Sequence, residues 1–366
     1  MNLRIPGPVP LPPNVLQAMC RPMINHRGPE FAAILREVTA NLKTVFQTQN
    51  DVLIFTASGT GGLEAAVANT LSPGDRVVAA SIGFFGERFA EIAQRFGAQV
   101  TLLQFPYGQP ADPEAVRREL QKGGYRALLV THNDTSTGIT NDLAALSAVA
   151  READVLLLVD GVSSVGATPL PTDAWGCDVV VTASQKALMA PPGLAMVSVS
   201  PRAWAAHQQA RMPRYYFDFT LAKKYLEIGQ TPATPAVSVF FALQESLRLI
   251  LAEGLENWIA RHARIAARTR AGIKALGLRL FGDERYASNA VTAVEAPPGL
   301  DVGQLLKVLR EEFNIVLAGG QGSLAGKIFR IGHLGLVREE EIDAVLAALR
   351  VCLPRLGVPV RAAPRT

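Results

Sequence analysis

This chain lacks an apolar run that could cross a membrane: the stretch 179–199 is interrupted by Lys186 and by Pro191 and Pro192. Met1-Asn2-Leu3-Arg4-Ile5-Pro6-Gly7-Pro8 carries no apolar h-region of a secretory signal, and Ala363-Pro364-Arg365-Thr366 is no peroxisomal address. Cysteine is scarce. Cys20, Cys177 and Cys352 lie far apart and are odd in number, which excludes a disulfide framework and zinc spacing and suits a reducing cytoplasm. His26, His207, His262 and His333 show no metal-ligand spacing, so no metal is expected. The net charge of +4 is weak, and its one basic concentration (Arg350, Arg355, Arg361, Arg365) reads as a solvated tail. Neither nucleic acid nor a membrane is expected as a partner. Both common nucleotide fingerprints are missing as well. After Gly59 the dinucleotide pattern meets Glu64 where it needs a small residue. In Gly319–Lys327 the first P-loop glycine would fall on Gln321, and Ile328 follows the lysine. That segment reads as a flexible loop ahead of Arg330.

What is present is the raw material of a large α/β protein. The 366 residues, 49% hydrophobic and 19% charged, are too many for one ordinary core and suggest two domains in close contact. Residues 1–14 are Pro-rich and extended. Apolar runs then alternate with amphipathic ones, placing strands at 52–55, 76–80, 98–104, 127–131, 155–159, 178–182 and 194–199, with helices at 61–71, 86–96, 112–122 and 142–152 between them. A long helical stretch at 236–275 leads into a strand (290–295), a helix (301–313), two strands (314–317, 328–332) and a last helix (338–352). The expected division is an arm at 1–14, a large domain at 15–250 and a small C-terminal domain at 251–366.

The most informative residue is Lys186, in Ala183-Ser184-Gln185-Lys186-Ala187-Leu188 directly after Val179-Val180-Val181. Another apolar run, Val155-Leu156-Leu157-Leu158-Val159, ends in Asp160. Two buried strands would thus bring an amine and a carboxylate to one edge of a parallel sheet. A lysine beside buried strands is costly unless chemistry holds it there. Pyridoxal phosphate needs this pair: an amine to bond its aldehyde carbon, and an acid to keep the pyridine nitrogen protonated. A phosphate site has its own mark. Val52-Leu53-Ile54-Phe55 is followed by Thr56-Ala57-Ser58-Gly59-Thr60-Gly61-Gly62 and a helix-forming run. Small residues at a strand-to-helix turn let backbone N–H groups approach an anion, helped by the Ser58 and Thr60 hydroxyls.

Ser58-Gly59-Thr60, His132-Asn133-Asp134-Thr135-Ser136-Thr137-Gly138, Leu158-Val159-Asp160 and Ser184–Gly193 follow one another as in class V aminotransferases. The chain resembles that family from Pro6-Gly7-Pro8 to Phe329-Arg330-Ile331-Gly332, and most of all its alanine/serine–glyoxylate branch, which includes bacterial relatives labelled as a small subunit of soluble hydrogenase. The resemblance implies the fold type I architecture of pyridoxal-phosphate enzymes: a large, mostly parallel sheet flanked by helices, plus a smaller C-terminal α/β domain. It also implies a homodimer with shared active sites, acting on a small amino acid and a 2-oxo acid.

Residue by residue, it makes Lys186 and Asp160 catalytic. It puts the cofactor against Ser58, Gly59, Thr60, Phe85, Thr135 and Gln185, with Thr231 and Thr234 reaching the other subunit's phosphate. Phe85 stands where relatives often stack a tryptophan on the ring. Arg330 would grip the substrate α-carboxylate, with Gly7 beside it, and a buried guanidinium needs some partner in any case. His132 reads as a core histidine. Two other outcomes carry distinct marks. A cysteine desulfurase-like lyase would have histidine at Gln185 and a loop cysteine, and none of the three cysteines is so placed. A non-catalytic partner subunit of a hydrogenase-like complex would not need Lys186, Asp160 and Arg330 intact.

Overall fold

The computed structural model describes residues 1–360. Its centre is a seven-stranded sheet made of β1 (Asp51–Ala57), β2 (Arg76–Ser81), β3 (Gln99–Gln104), β4 (Tyr125–Thr131), β5 (Leu156–Asp160), β6 (Val179–Ala183) and β7 (Gly193–Val199), in the order β1-β7-β6-β5-β4-β2-β3. All neighbours pair in parallel except β7, which is antiparallel to both β1 and β6. The link from β6 to β7 is too short for a crossover helix, so the chain turns back beside the strand it has just left. Period-two alternation fills both faces: Leu157 and Val159 join one apolar cluster, Leu156 and Leu158 the other.

Twelve helices are described: α1 (Pro13–Met19), α2 (Pro29–Phe46), α3 (Gly59–Thr70), α4 (Phe84–Arg95), α5 (Pro113–Leu120), α6 (Leu143–Glu152), α7 (Pro201–His207), α8 (Phe219–Glu227), α9 (Val237–Glu253), α10 (Leu255–Ala275), α11 (Val302–Phe313) and α12 (Glu339–Arg355). The expected continuous helix at 236–275 is two, because Gly254 takes φ 88° between α9 and α10. That left-handed backbone suits glycine and ends the first helix. α6 carries its own cap, with Asp142 accepting from the Ala145 N–H.

The C-terminal stretch builds a second sheet from β8 (Val291–Glu295), β9 (Ala318–Gly319) and β10 (Ile328–Gly332), ordered β8-β10-β9 and antiparallel throughout. Its apolar residues, among them Ile273, Leu305, Phe329, Ile331 and Leu349, form a separate cluster. The strand expected at 314–317 is divided. Ile315–Val316 pairs in parallel with Asn2–Leu3, so the chain's start is stitched to its C-terminal third, and Ala318–Gly319 joins β10. Arg355 is not part of a loose tail: it ends α12 and pairs with Glu312 at 2.6 Å. Arg361 and Arg365 lie outside the described residues.

No helix among the described residues is long and apolar enough to cross a membrane.

Candidate active site

β5 ends at Asp160 and β6 at Ala183, side by side and parallel, so both release their chains at the same sheet edge. Beyond β6 the backbone folds into a closed turn. The Ser184 N–H donates to the Leu194 carbonyl (3.0 Å), the Ala190 N–H to the Ser184 carbonyl (2.9 Å) and the Met189 N–H to the Lys186 carbonyl (3.0 Å). Met189 takes φ 49° within it, an uncommon state for a side-chain-bearing residue. The turn points Lys186 back over the sheet edge. There its Nζ donates to the Pro6 carbonyl over 2.7 Å. Gly7 lies against it with φ 128°, and a Cβ at that position would stand 2.8 Å from Nζ. Glycine at position 7 is thus the residue that leaves room for the amine.

One cavity of about 200 Å³ gathers Ser58, Gly59, Thr60, Phe85, Thr135, Asp160, Gln185 and Lys186. Asp160 is buried, accepting from Val162 N–H (3.0 Å) and Thr131 Oγ1 (3.2 Å). Burial raises its pKa to about 6, with nearby Asp134 adding to the shift and Lys186 opposing it. Burial also lowers Lys186 to about 8, where the amine is partly neutral at physiological pH; Asp160 counteracts this and Arg330 reinforces it.

The phosphate-like end is the start of α3. Ser58 is its N-cap, is exposed, and spends no side-chain hydrogen bond on the helix, so hydroxyl and first-turn amides face the cavity mouth. Gly59 lets the helix start lie close against Val162, because a Cβ there would meet Val162 Cγ2 at 2.6 Å. Gln185 Oε1 is buried without a hydrogen-bond partner. An acid, a poised amine, an uncapped helix start and an unpartnered acceptor around one cavity fit pyridoxal phosphate.

Arg330 comes from β10 and does not line this cavity, but touches its rim. Its Nη1 donates to the Thr135 carbonyl (2.8 Å) and to Gln321 Oε1 (3.1 Å), and its Nε to the Gly319 carbonyl (2.9 Å). All three acceptors are neutral. The guanidinium, only 5% exposed, forms no ion pair with a carboxylate among the described residues, and burial lowers its pKa to about 10, with Asp134 offsetting part of that. A buried cation without its own anion is a standing attractor for one.

Thr231 and Thr234 are not brought to the cavity. Thr231 is buried, donates to the Ala233 carbonyl (2.8 Å) and lines a different groove with Tyr215 and Tyr216, while Thr234 is exposed. His132 is buried edge-on against Trp175 (6.0 Å between ring centres), with a pKa pushed down to about 3. None of the cysteines lines the cavity: Cys20 is exposed, Cys177 and Cys352 are buried, and burial raises the Cys177 thiol to about 12. Among the described residues no group of three or more His, Cys, Asp or Glu could hold a metal ion.

Reading the sequence alone passes over several residues of the site. Asn133 and Ser163 line the cavity and bond each other, Asn133 Nδ2 donating to Ser163 Oγ over 2.8 Å. Arg88 lines it too, with its guanidinium 5.2 Å from the Phe85 ring. Arg88 follows Phe85 by one helical turn, a signal the sequence did contain.

Residues 12–345 match the model of the family described as aminotransferase class-V. The soluble hydrogenase 42 kDa subunit of Anabaena cylindrica is 45% identical over 361 residues, covering 98% of this chain and 94% of its own. An L-aspartate–glyoxylate aminotransferase of Paracoccus denitrificans is 41% identical, with 98% of this chain and 92% of that one aligned. The crystal structure of the ureidoglycine–glyoxylate aminotransferase of Bacillus subtilis superposes with a TM-score of 0.94 at 35% identity, covering 99% of this chain and 95% of that one.

Proposed function

Because the chain belongs to the class V aminotransferases, we propose that it is a pyridoxal-phosphate-dependent enzyme moving an amino group from a small L-amino acid, alanine or serine, to glyoxylate. The observation that carries this is the single cavity holding Asp160, Lys186 and the uncapped start of α3. When bound, the cofactor supplies an aldehyde that combines with amines and a protonated ring that draws electrons from the substrate's α-carbon.

The rest is the work of this chain. Ser58, Gly59 and Thr60 hold the phosphate through hydroxyls and amides at the helix N-terminus. Asp160 keeps a proton on the ring nitrogen, and the cationic partner in turn relieves the charge that burial penalises. Phe85 covers the ring face. Thr135 and Gln185 border the ring, Gln185 through the acceptor that lacks a partner. Lys186, its basicity lowered toward neutrality, releases Pro6 and carries a proton at Nζ from one carbon to the next. Arg330 receives the α-carboxylate common to donor and acceptor, and Gly7 keeps the backbone beside it open.

Exposed Thr234 and groove-lining Thr231, both away from this chain's own cavity, belong in this reading to the phosphate site of a second subunit, which makes the working unit a homodimer. The separate C-terminal apolar cluster supports dividing the chain into a large domain at 15–250 and a small one from 251 onward. Three unpaired cysteines support a cytoplasmic location.

Glyoxylate appears in the names of both the Paracoccus and the Bacillus relatives, whereas their donors differ. A screen of alanine, serine and aspartate against glyoxylate and pyruvate tests the proposal: alanine or serine with glyoxylate should turn over fastest, aspartate as the preferred donor would replace the donor assignment, and no transamination at all would refute the reading. The Anabaena relative's name favours a second reading, a cofactor-binding subunit of a hydrogenase-like assembly. Co-purification with a redox partner and no transaminase turnover would select it.

A further inference from the structure

The helix that carries Phe85 begins without a cap of its own. Gly83 precedes α4 and offers no side chain to its first amides. They are met from far along the chain. The Phe84 N–H donates to Ser136 Oγ (2.9 Å), and the Phe85 and Gly86 N–H groups to Asp134 Oδ2 (3.1 and 3.2 Å). Asp134 Oδ1 accepts from the Ser136 N–H (2.9 Å) and hydroxyl (2.6 Å), so the carboxylate is fully engaged while fully buried. A Cβ on Gly83 would stand 2.6 Å from Asp134 Cγ, so glycine there is what lets the acid close on the helix. Between Asp134 and Ser136 the Thr135 carbonyl accepts from Arg330 Nη1 over 2.8 Å.

We propose that Asp134, supported by Ser136, is a positioning residue that registers two separate parts of the site: it sets Phe85 over the cofactor ring through α4, and it sets Arg330 through the Thr135 carbonyl. The inference rests on the cofactor and carboxylate roles proposed above and adds the part that ties them together. A carboxylate at a helix start is favoured by the helix dipole and by charge-assisted N–H bonds. Because one side chain holds α4 and braces the Thr135 carbonyl, a change at Asp134 moves ring contact and carboxylate contact together. Misplacements of about 1 Å at such groups are costly to a reaction.

The test is cofactor titration of the cofactor-free protein, followed by protein fluorescence and by the induced circular dichroism of the bound cofactor. Asp134→Ala should raise the cofactor Kd about tenfold or more and weaken the dichroism; Ser136→Ala, which removes one hydroxyl and keeps the acid, should raise Kd about threefold. KM for both the amino donor and the 2-oxo acid should rise in Asp134→Ala by a larger factor than kcat falls. Phe85→Leu, combined with either change, should bind cofactor within about twofold of Phe85→Leu alone, since the cap acts through that ring. Additive losses in the double variants, or an unchanged Kd in both single variants, would overturn the inference while leaving the aminotransferase reading intact. A wild-type protein that binds no cofactor would overturn both. Ser136→Ala keeps the question decidable if Asp134→Ala does not fold.

Discussion

Asp160 and Asp134 are both buried carboxylates on neighbouring segments, yet their oxygens are satisfied to very different degrees. Asp134 is saturated: four N–H and O–H donors occupy its two oxygens, and its surroundings are helix and turn. Asp160 is under-supplied, with one amide and one hydroxyl, and it opens onto a cavity. Burial raises the pKa of each, but only Asp160 faces space where a cation could restore the lost solvation. The difference separates an acid whose oxygens are saturated within the protein from one left with capacity to accept more. Burial alone does not distinguish them; the count of satisfied oxygens does.

Several changes would break or sharpen that contrast. The largest effect should come from Lys186→Ala, since the amine faces Asp160 and not Asp134. Turnover should vanish, and borohydride reduction should no longer fix cofactor to the peptide around position 186; label on another lysine would refute the assignment. Next, Asp160→Asn should lower kcat by orders of magnitude, each tenfold being about 1.4 kcal/mol, while cofactor is retained. Near-normal kcat would remove Asp160 from the electron-sink role.

Arg330→Ala should cost about 2–5 kcal/mol in kcat/KM for both half-reactions, with Arg330→Lys recovering part. Cofactor absorbance read separately in each half-reaction decides it: a defect with only one substrate, or loss of cofactor, would make Arg330 structural. A subtler effect concerns stability without cofactor. The folded protein holds the Asp160 proton more tightly than the unfolded chain, so its contribution is favourable at low pH and is lost as pH rises through about 6. Asp160→Asn should therefore stabilise the cofactor-free protein by roughly 3 kcal/mol at pH 8 and by little near pH 4. A denaturant titration at both pH values should give Asp134→Asn the opposite sign at pH 8, because either orientation of the amide leaves a buried backbone N–H unpaired there, whereas at Asp160 the Thr131 hydroxyl can turn to accept from it. The smallest effect is kinetic. Covalent capture of pyridoxal phosphate by the cofactor-free protein should rise with pH around a midpoint near 8, where Lys186 loses its proton. A midpoint near the ordinary lysine value would mean that burial does not tune the amine.

The working end of the large sheet was legible because its chemistry is local. Apolar runs that stop at Asp160 and at Ala183, and small residues between strand and helix at Ser58–Gly62, are visible within a few positions of each residue. The reversed direction of β7 was not, since strand direction is set by how the chain returns and not by its own residues. Nor was the break at Gly254, because one glycine in an amphipathic run is compatible with an unbroken helix until its φ is known. In the sequence Asp134 is only one polar member of the run His132–Gly138. Its partners at Phe85 and Gly86 are some fifty residues away, and a cap supplied across that separation leaves no pattern beside the helix it serves. The pairing of Asn2–Leu3 with Ile315–Val316 is hidden for the same reason.

That pairing has a mechanical meaning. The Gly332 N–H donates to the Arg4 carbonyl (2.7 Å), so the backbone leading to Pro6 is fastened to the C-terminal sheet, while Lys186 is fastened to the large one. The bond from Lys186 Nζ to the Pro6 carbonyl therefore ties the end of β6 to the segment that β10 holds, as a latch spans a door and its frame. A displacement of about 1 Å between them would stretch this 2.7 Å contact beyond hydrogen-bonding range and set the amine free. Because Arg330 rides on the same strand as Gly332, the guanidinium and the amine are linked through this one tether.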